Sequence, residues 1–347
     1  MKFTVAAVGD LGLANQIDGL FPPKCDWVPE PVKPLPALAH ADPRAYLFGD
    51  TLEILSQADI RLGNLETPLS NRGSPYCPKG WLFRTRPERI QEVTHLNMSC
   101  VGLANNHTLD FGPEAADDTI KALSSAGVAC AGIGKDLATA LAPATFLSGS
   151  GHRCVAWSLA CTGYDGGADS CKAVPALWAA KEDRYGNAYA DLEGYHRGAP
   201  HPVKAAIAAY MAAHRDAIDF AIVFTHWGRN YQWEPDAVLA DFAHDLVDEC
   251  GIDLVHGTSA HHVQAVELYH GSVVFYSCCG FVDDYLWNDT VYPFVDDLPG
   301  FRPDISFIGM ATFTLAPSEA AAAGACAPAR RKKWCARDVL LHPVRIK

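Results

Sequence analysis

Through the first 150 residues, apolar runs of strand length alternate with longer segments whose apolar positions recur at helical spacing. Residues 3–8, 60–62, 100–103, 128–131 and 144–147 read as strands. Residues 43–57, 113–126 and 137–143 read as helices, with a helical turn over 87–94. Pro113 opens its helix at the position where a missing N–H costs nothing. This alternation predicts parallel pairing through helical crossovers. After a strand over 154–159, residues 162–198 are rich in Gly, Tyr and Trp and carry little periodicity. A loop that long inside a compact domain usually has a functional reason. The pattern resumes with a helix over 201–217, a strand over 220–224, a helix over 235–249 and a short strand at 254–255. Residues 263–268 and 272–277 read as antiparallel strands turned at His270-Gly271. A second aromatic, Pro-rich loop covers 281–303, followed by a strand over 305–315, an Ala-rich linker or frayed helix over 320–327 and an edge strand over 339–344. The expected organisation is α/β, one domain over 1–347 with a small extension over 316–347.

Several of these strands break into side chains that bind metals or move protons. Ligands in open α/β sheets bind at the carboxyl ends of strands. Asp10 follows the first strand, although an Asp there is equally a turn former. Asn64 and Glu66 bracket Leu65, so strand alternation puts the two polar side chains on one face; a turn and a solvated charge are the plainer reading. Asn105-Asn106-His107 offers amide oxygen and imidazole, both suited to a borderline divalent metal, and otherwise reads as a polar cap. His226-Trp227-Gly228 ends another strand and runs into Arg229-Asn230-Tyr231-Gln232-Trp233, an aromatic stretch fit to wall a pocket for a flat or peptidic substrate. His256, Ser259, His261 and His262 crowd one loop; one of them is expected as ligand or base, because neighbouring side chains in an extended segment point apart.

Composition narrows the function. The chain has 347 residues, 49% hydrophobic, with a net charge of −12. That charge opposes nucleic-acid binding, which needs a basic face. The basic run Arg330-Arg331-Lys332-Lys333 reads as a solvated turn. The 12 cysteines include no Cys-x-x-Cys pair, and Cys278-Cys279 is ill-placed for a relaxed disulfide, so a reducing cytoplasm without structural zinc is expected. Cys326 and Cys335 are expected to stay unpaired. Asp10 ends the first apolar stretch too early for a signal peptide. No apolar run approaches the ~20 residues that span a bilayer, so no membrane partner is expected.

The decapeptide Leu103-Ala104-Asn105-Asn106-His107-Thr108-Leu109-Asp110-Phe111-Gly112, with 83–88, His226-Trp227-Gly228 and 264–267, resembles the CapA family of poly-γ-glutamate capsule biosynthesis proteins, within the calcineurin-like metallophosphatase superfamily. The resemblance runs from Phe3 to about Phe281. It implies a four-layer αββα sandwich, metal ligation by Asp10, Asn64 or Glu66, Asn106, His226 and His261, and a role for His107 at the reacting group. The sequence departs from the two-metal pattern at Gly12, where that pattern has His, at the weakly acidic Asn64-Leu65-Glu66, at Ser259 in place of the first of two late-loop His, and at Cys279-Gly280-Phe281. Two ions ~4 Å apart need a bridging carboxylate, so one divalent ion (Mn, Zn, Mg or Ca) is expected.

With no membrane anchor expected and with aromatic loops, the chain looks like the branch similar to lasso-peptide epimerases. The first expectation is therefore a metal-assisted peptide epimerase. Its acid and base would be drawn from Asp10, Glu66, His107 and His261, and a peptide end would be held by Arg84, Trp227, Tyr231, Trp233 and Trp287. The alternatives are a phosphoester or amide hydrolase of CapA type and a non-catalytic protein that binds peptide or polyanion.

Overall fold

The structure is a computed structural model that describes residues 2–13, 42–76, 82–161, 179–282, 302, 304–315 and 334–345. Two sheets dominate it. In the first, β1 (Lys2–Leu11), β2 (Ile60–Leu65), β3 (Cys100–Gly102) and β4 (Ala129–Ala131) run parallel, as the alternation predicts. β14 (Ile305–Leu315) and β15 (Trp334–Arg345) add antiparallel on the other side of β1, and β13 (Gly280–Val282) pairs with the end of β1. The second sheet has the order β11 (Val266–Tyr269), β12 (Ser272–Phe275), β10 (Leu254–Thr258), β9 (Phe220–Trp227), β7 (Arg153–Cys161), β6 (Ala144–Leu147). Here β7, β9, β10 and β12 are parallel, and β6 and β11 are antiparallel edges. A small ladder pairs β5 (Ile133–Gly134) with β8 (Gly186–Asn187).

Strand alternation sorts each sheet into two faces. Phe3, Val5 and Ala7 of β1 face Phe220, Ile222 and Phe224 of β9 across a shared core that includes Leu254, Phe275 and Phe313. The intervening Ala6 and Val8 pack outward on Phe48, Leu55, Val93 and Leu123 of the helices covering the first sheet. Ala221 and Val223 pack outward on Ile207 and Met211 of helix Pro202–Ala213 and on Leu239, Phe242 and Leu246 of helix Ala237–Asp248. The result is the four-layer αββα sandwich.

Several boundaries move for tertiary reasons. The expected helix over 43–57 is two helices, Pro43–Phe48 and Thr51–Leu55, broken at Gly49-Asp50. β2, β9 and β10 run further than their apolar cores because neighbouring strands supply ladder partners (Asp10 with Asn64, His226 with Thr258). Phe281 and Val282 belong to β13 rather than to a loop. The edge strand expected over 339–344 spans Trp334–Arg345, and Trp334 closes the inter-sheet core. The Ala-rich stretch 320–327 and Cys326 lie outside the described residues, and Cys335 and the adjacent Cys278 and Cys279 are free thiols. Among the described residues, no helix is long and apolar enough to cross a membrane.

One expected site residue is structural. His256 is fully buried in β10, and its Nε2 donates across the gap between sheets to the Val8 carbonyl of β1 at 2.7 Å. Its Nδ1 is buried without a partner. Burial pushes the imidazole from 6.5 down to about 4, against that carbonyl contact. The folded state thus binds the proton later than the unfolded state. Stability supplied by neutral His256 is complete above pH 6.5 and is lost as pH falls toward 4, by about 3 kcal/mol in all. Urea unfolding of wild type and His256→Gln at pH 7.5 and 4.5 should show the larger loss in wild type; equal losses would contradict the assignment.

Candidate metal centre

The carboxyl ends of β1 and β2 meet those of β9 and β10 at one end of the sandwich. Asp10 and Glu66 come from the first sheet and His226 from the second, and their ligand atoms lie within 4.8 Å of one another. All three side chains are buried. Of the six residues expected as ligands, these three converge. Asn64 and Asn106 touch them. Asn64 Nδ2 donates to Asp10 Oδ1 at 2.8 Å and lies 3.4 Å from His226 Nδ1. Asn106 Oδ1 is 2.9 Å from His226 Nε2. His261 is not part of the converging group; it is half-buried at φ 51°, with its ring 6.2 Å from Tyr231.

The electrostatics describe a pocket short of positive charge. Burial pushes the Asp10 carboxyl up to about 6, opposed chiefly by the Asn64 hydrogen bond. Asp10 Oδ2 is buried without a hydrogen-bond partner. Glu66 Oε1 lies 3.6 Å from His226 Nε2. Two buried carboxylates, one imidazole, the Asn106 amide oxygen and a carboxylate oxygen without a hydrogen bond make a donor set that fits a divalent cation.

His107 lies beside this group rather than in it. Its Nε2 is 4.0 Å from Glu66 Oε1, and its Nδ1 is 2.7 Å from Asp110 Oδ2. A carboxylate can only accept, so Nδ1 carries the proton and Nε2 is left as the working atom. Phe83 stacks on the imidazole at 3.8 Å, and its backbone N–H donates to the same Asp110 oxygen at 2.6 Å. Asn105 ties the loop together: its Oδ1 accepts from the N–H groups of His107 and Thr108, and its Nδ2 donates to Asn64 Oδ1 and to the Leu65 carbonyl.

Two of these residues, Asp110 and Thr258, had no role in the sequence reading. The i, i+3 spacing of His107 and Asp110 in a tight turn was the available signal. The Thr258 hydroxyl reaches the site, 3.1 Å from His226 Nδ1, and Ser259, at the position of the lost His, contributes its backbone N–H to Asp10. Trp227 needs correction: it is fully buried, packs in the core beneath the second sheet's helices and donates Nε1 to the Tyr276 carbonyl, so it lines no pocket. Alternation decides this, because His226 faces the other sheet. Trp233 is 54% exposed, and the Arg84 guanidinium lies 4.2 Å over the Phe111 ring. Trp287 lies outside the described residues.

Backbone strain collects around the same end. Tyr231, Ser259, His261 and Cys279 all have positive φ (64°, 93°, 51° and 62°), in the loops after β9, after β10 and before β13. Such strain persists where the surroundings over-determine it, typically at functional sites.

Residues 4–285 match the family described as bacterial capsule synthesis protein PGA_cap. The chain belongs to this family. The family is the one that the 103–112 motif implies. A probable polyglutamine synthesis accessory protein of Mycobacterium tuberculosis is 34% identical over 281 residues, 80% of this chain and 66% of the relative. The PGA biosynthesis protein CapA of Bacillus subtilis is 26% identical over 238 residues, 68% of this chain and 56% of the relative. The chain thus spans only part of the length of the capsule synthesis proteins it matches. A solved calcineurin-like phosphoesterase of Bacillus subtilis aligns over 99% of this chain and 90% of its own, with 12% identity and a TM-score of 0.47. The names of these relatives concern capsule and polyglutamine synthesis, and none of these matches supports an epimerase.

The metal site can be tested without a substrate. Without an ion, Asp10 and Glu66 crowd two buried carboxyls together, so Glu66→Gln should melt at or above metal-free wild type. Mn²⁺ should raise the melting temperature of wild type and leave that of Glu66→Gln unmoved; an equal rise in both would remove Glu66 from the site. A Cβ at Gly9 would lie 1.9 Å from the Cys279 carbonyl oxygen, which accepts the Asp10 N–H at 3.0 Å. Gly9→Ala should therefore displace Asp10, cost about 1–3 kcal/mol and weaken Mn²⁺ uptake in calorimetry.

Proposed function

We propose that this chain is a hydrolase using one divalent ion, acting on a phosphoester or amide bond in the making of a polyanionic capsule polymer of the polyglutamate type. The observation that carries the reading is the convergence of Asp10, Glu66 and His226 from two sheets, with the His107–Asp110 pair 4.0 Å from Glu66. Asp10, Glu66 and His226 would hold the ion, helped by the amide oxygen of Asn106, while Asn64, whose Oδ1 accepts from Asn105, would hold Asp10 in place. A divalent ion there supplies Lewis acidity toward the substrate oxygen.

The chain's own residues do the rest. Asp110 holds the His107 proton on Nδ1, and Phe83 fixes the ring plane, so Nε2 can give a proton to a leaving group or take one from water. Thr258 and Asn106 set the orientation of His226. Arg84, its guanidinium over the Phe111 ring, would supply positive charge toward an anionic chain, and the exposed Trp233 would supply flat apolar surface. The peptide epimerase takes second place. What supports the hydrolase over it is the similarity to proteins named for capsule and polyglutamine synthesis.

One experiment separates the readings. Mn²⁺-loaded protein is incubated in H₂¹⁸O with aryl phosphates and γ-glutamyl oligomers, and in parallel in D₂O with peptides. Product carrying ¹⁸O in phosphate or in a new carboxylate is the expected result. Deuterium at an α-carbon without cleavage would overturn it in favour of the epimerase, and neither label would leave the binding protein. His107→Ala and Asp110→Asn should lower turnover about 10²–10⁴-fold and severalfold respectively, with metal uptake intact.

A further inference from the structure

The ligand triad is divided between two sheets, so something must set their separation at the open end. The β8 segment bridges the two sheets there. Asn187 is fully buried, and its Nδ2 donates to the Asn105 carbonyl at 3.0 Å, at the loop that follows β3 in the first sheet. The next residues are sewn to the second sheet. The Ala188 carbonyl accepts from Ala160 N–H at 2.9 Å, and Ala190 N–H donates to the Ala160 carbonyl at 3.0 Å. Ala160 is the residue of β7 paired beside His226. One short stretch thus grips the backbone next to Asn106 on one side and the backbone next to His226 on the other.

The contacts around it are close. Ala188 N–H donates to the Gly132 carbonyl at 2.7 Å. Gly132 has φ 110°, and a Cβ there would lie 2.7 Å from the Ser158 Cβ and 2.8 Å from the Ala104 Cβ, so the two sheets are nearly in backbone contact at this point. Ala104 N–H donates across the same gap to Ser158 Oγ at 3.1 Å. The β5–β8 ladder itself is two residues long, and so short a pair has no stability of its own. It owes its place to these cross-sheet bonds.

We infer that the 186–190 stretch is an inter-sheet brace for the metal centre, with Asn187 as its positioning residue: through the Asn105 carbonyl it holds the Asn105–His107 loop at the distance from β9 that the Asp10–Glu66–His226 triad requires. This rests on the metal reading above and extends it to a segment that touches no ligand. Asn187 Oδ1 is buried without a partner, so its Nδ2 contact to Asn105 is the side chain's hydrogen bond to the site. Supporting groups behind metal ligands govern affinity because they fix the ligands' orientation.

The test uses the full chain stripped of metal and titrated with Mn²⁺ in a calorimeter, beside the metal-free melting temperature. Asn187→Ala and the volume-keeping Asn187→Leu should both bind Mn²⁺ about tenfold or more weakly. Tyr185→Phe, at the residue just before the brace, removes a hydroxyl bonded to Asp117 at 2.9 Å and should bind Mn²⁺ as wild type does. If Asn187→Ala fails to fold, Asn187→Leu carries the measurement. Wild-type affinity in a folded Asn187 variant would overturn the inference, as would equal weakening in Tyr185→Phe, which would make the segment a general stabiliser. If wild type itself takes up no Mn²⁺, the metal reading fails and this inference fails with it.

Discussion

The distance between the two sheets is the constraint on which the site depends. Ligand atoms within 4.8 Å of one another come from β1, the end of β2 and β9, so neither sheet holds the site alone. At the far end the gap is filled by Phe3, Phe220, Phe313 and Trp334, whose rings pack at 4.7–5.5 Å in mostly edge-to-face pairs. Near the site, apolar filling gives way to hydrogen bonds across the gap, His256 to Val8 and Ala104 to Ser158. Large rings set an approximate spacing; directional bonds set it to a fraction of an ångström, which a coordination shell demands.

Polar groups pay a desolvation cost at this end, and the structure shows how it is spread. Asp10 is held by Asn64, Asn64 by Asn105, and His226 by Asn106 and Thr258. The neutral amides and hydroxyl hold the charged groups without adding charge. What they leave unmet is one carboxylate oxygen of Asp10. A pocket so arranged is costly empty and favourable with a cation.

Membership of the capsule synthesis family and the geometry of the site point the same way without being the same argument. The family match comes from the chain over 4–285. The hydrolase reading comes from a metal-ligand triad with an oriented imidazole beside it. The aromatic residues that favoured a peptide epimerase divide: Trp227 is core, while Trp233 is exposed. Without Trp227 the case for a peptide-holding wall is weaker.

The sequence by itself determined the main strands of both sheets, the α/β class and the polar residues at the strand ends, because period-two alternation and turn chemistry are local. It could not choose among residues of one type. His226 and His256 both follow apolar runs, yet register pairs His226 with Thr258 and His256 with Phe224. His256 therefore lies one pleat back, inside the gap, and Thr258 takes the place in the site. Likewise Ser259 and Thr258 are adjacent in sequence, and only the ladder says which one faces His226. Asp110 and Asn187 became visible only when the turn closed on His107 and when β8 crossed from one sheet to the other. Alternation fixes which side a residue faces; register between strands far apart in sequence fixes at what height, and that is decided by the packed sandwich alone.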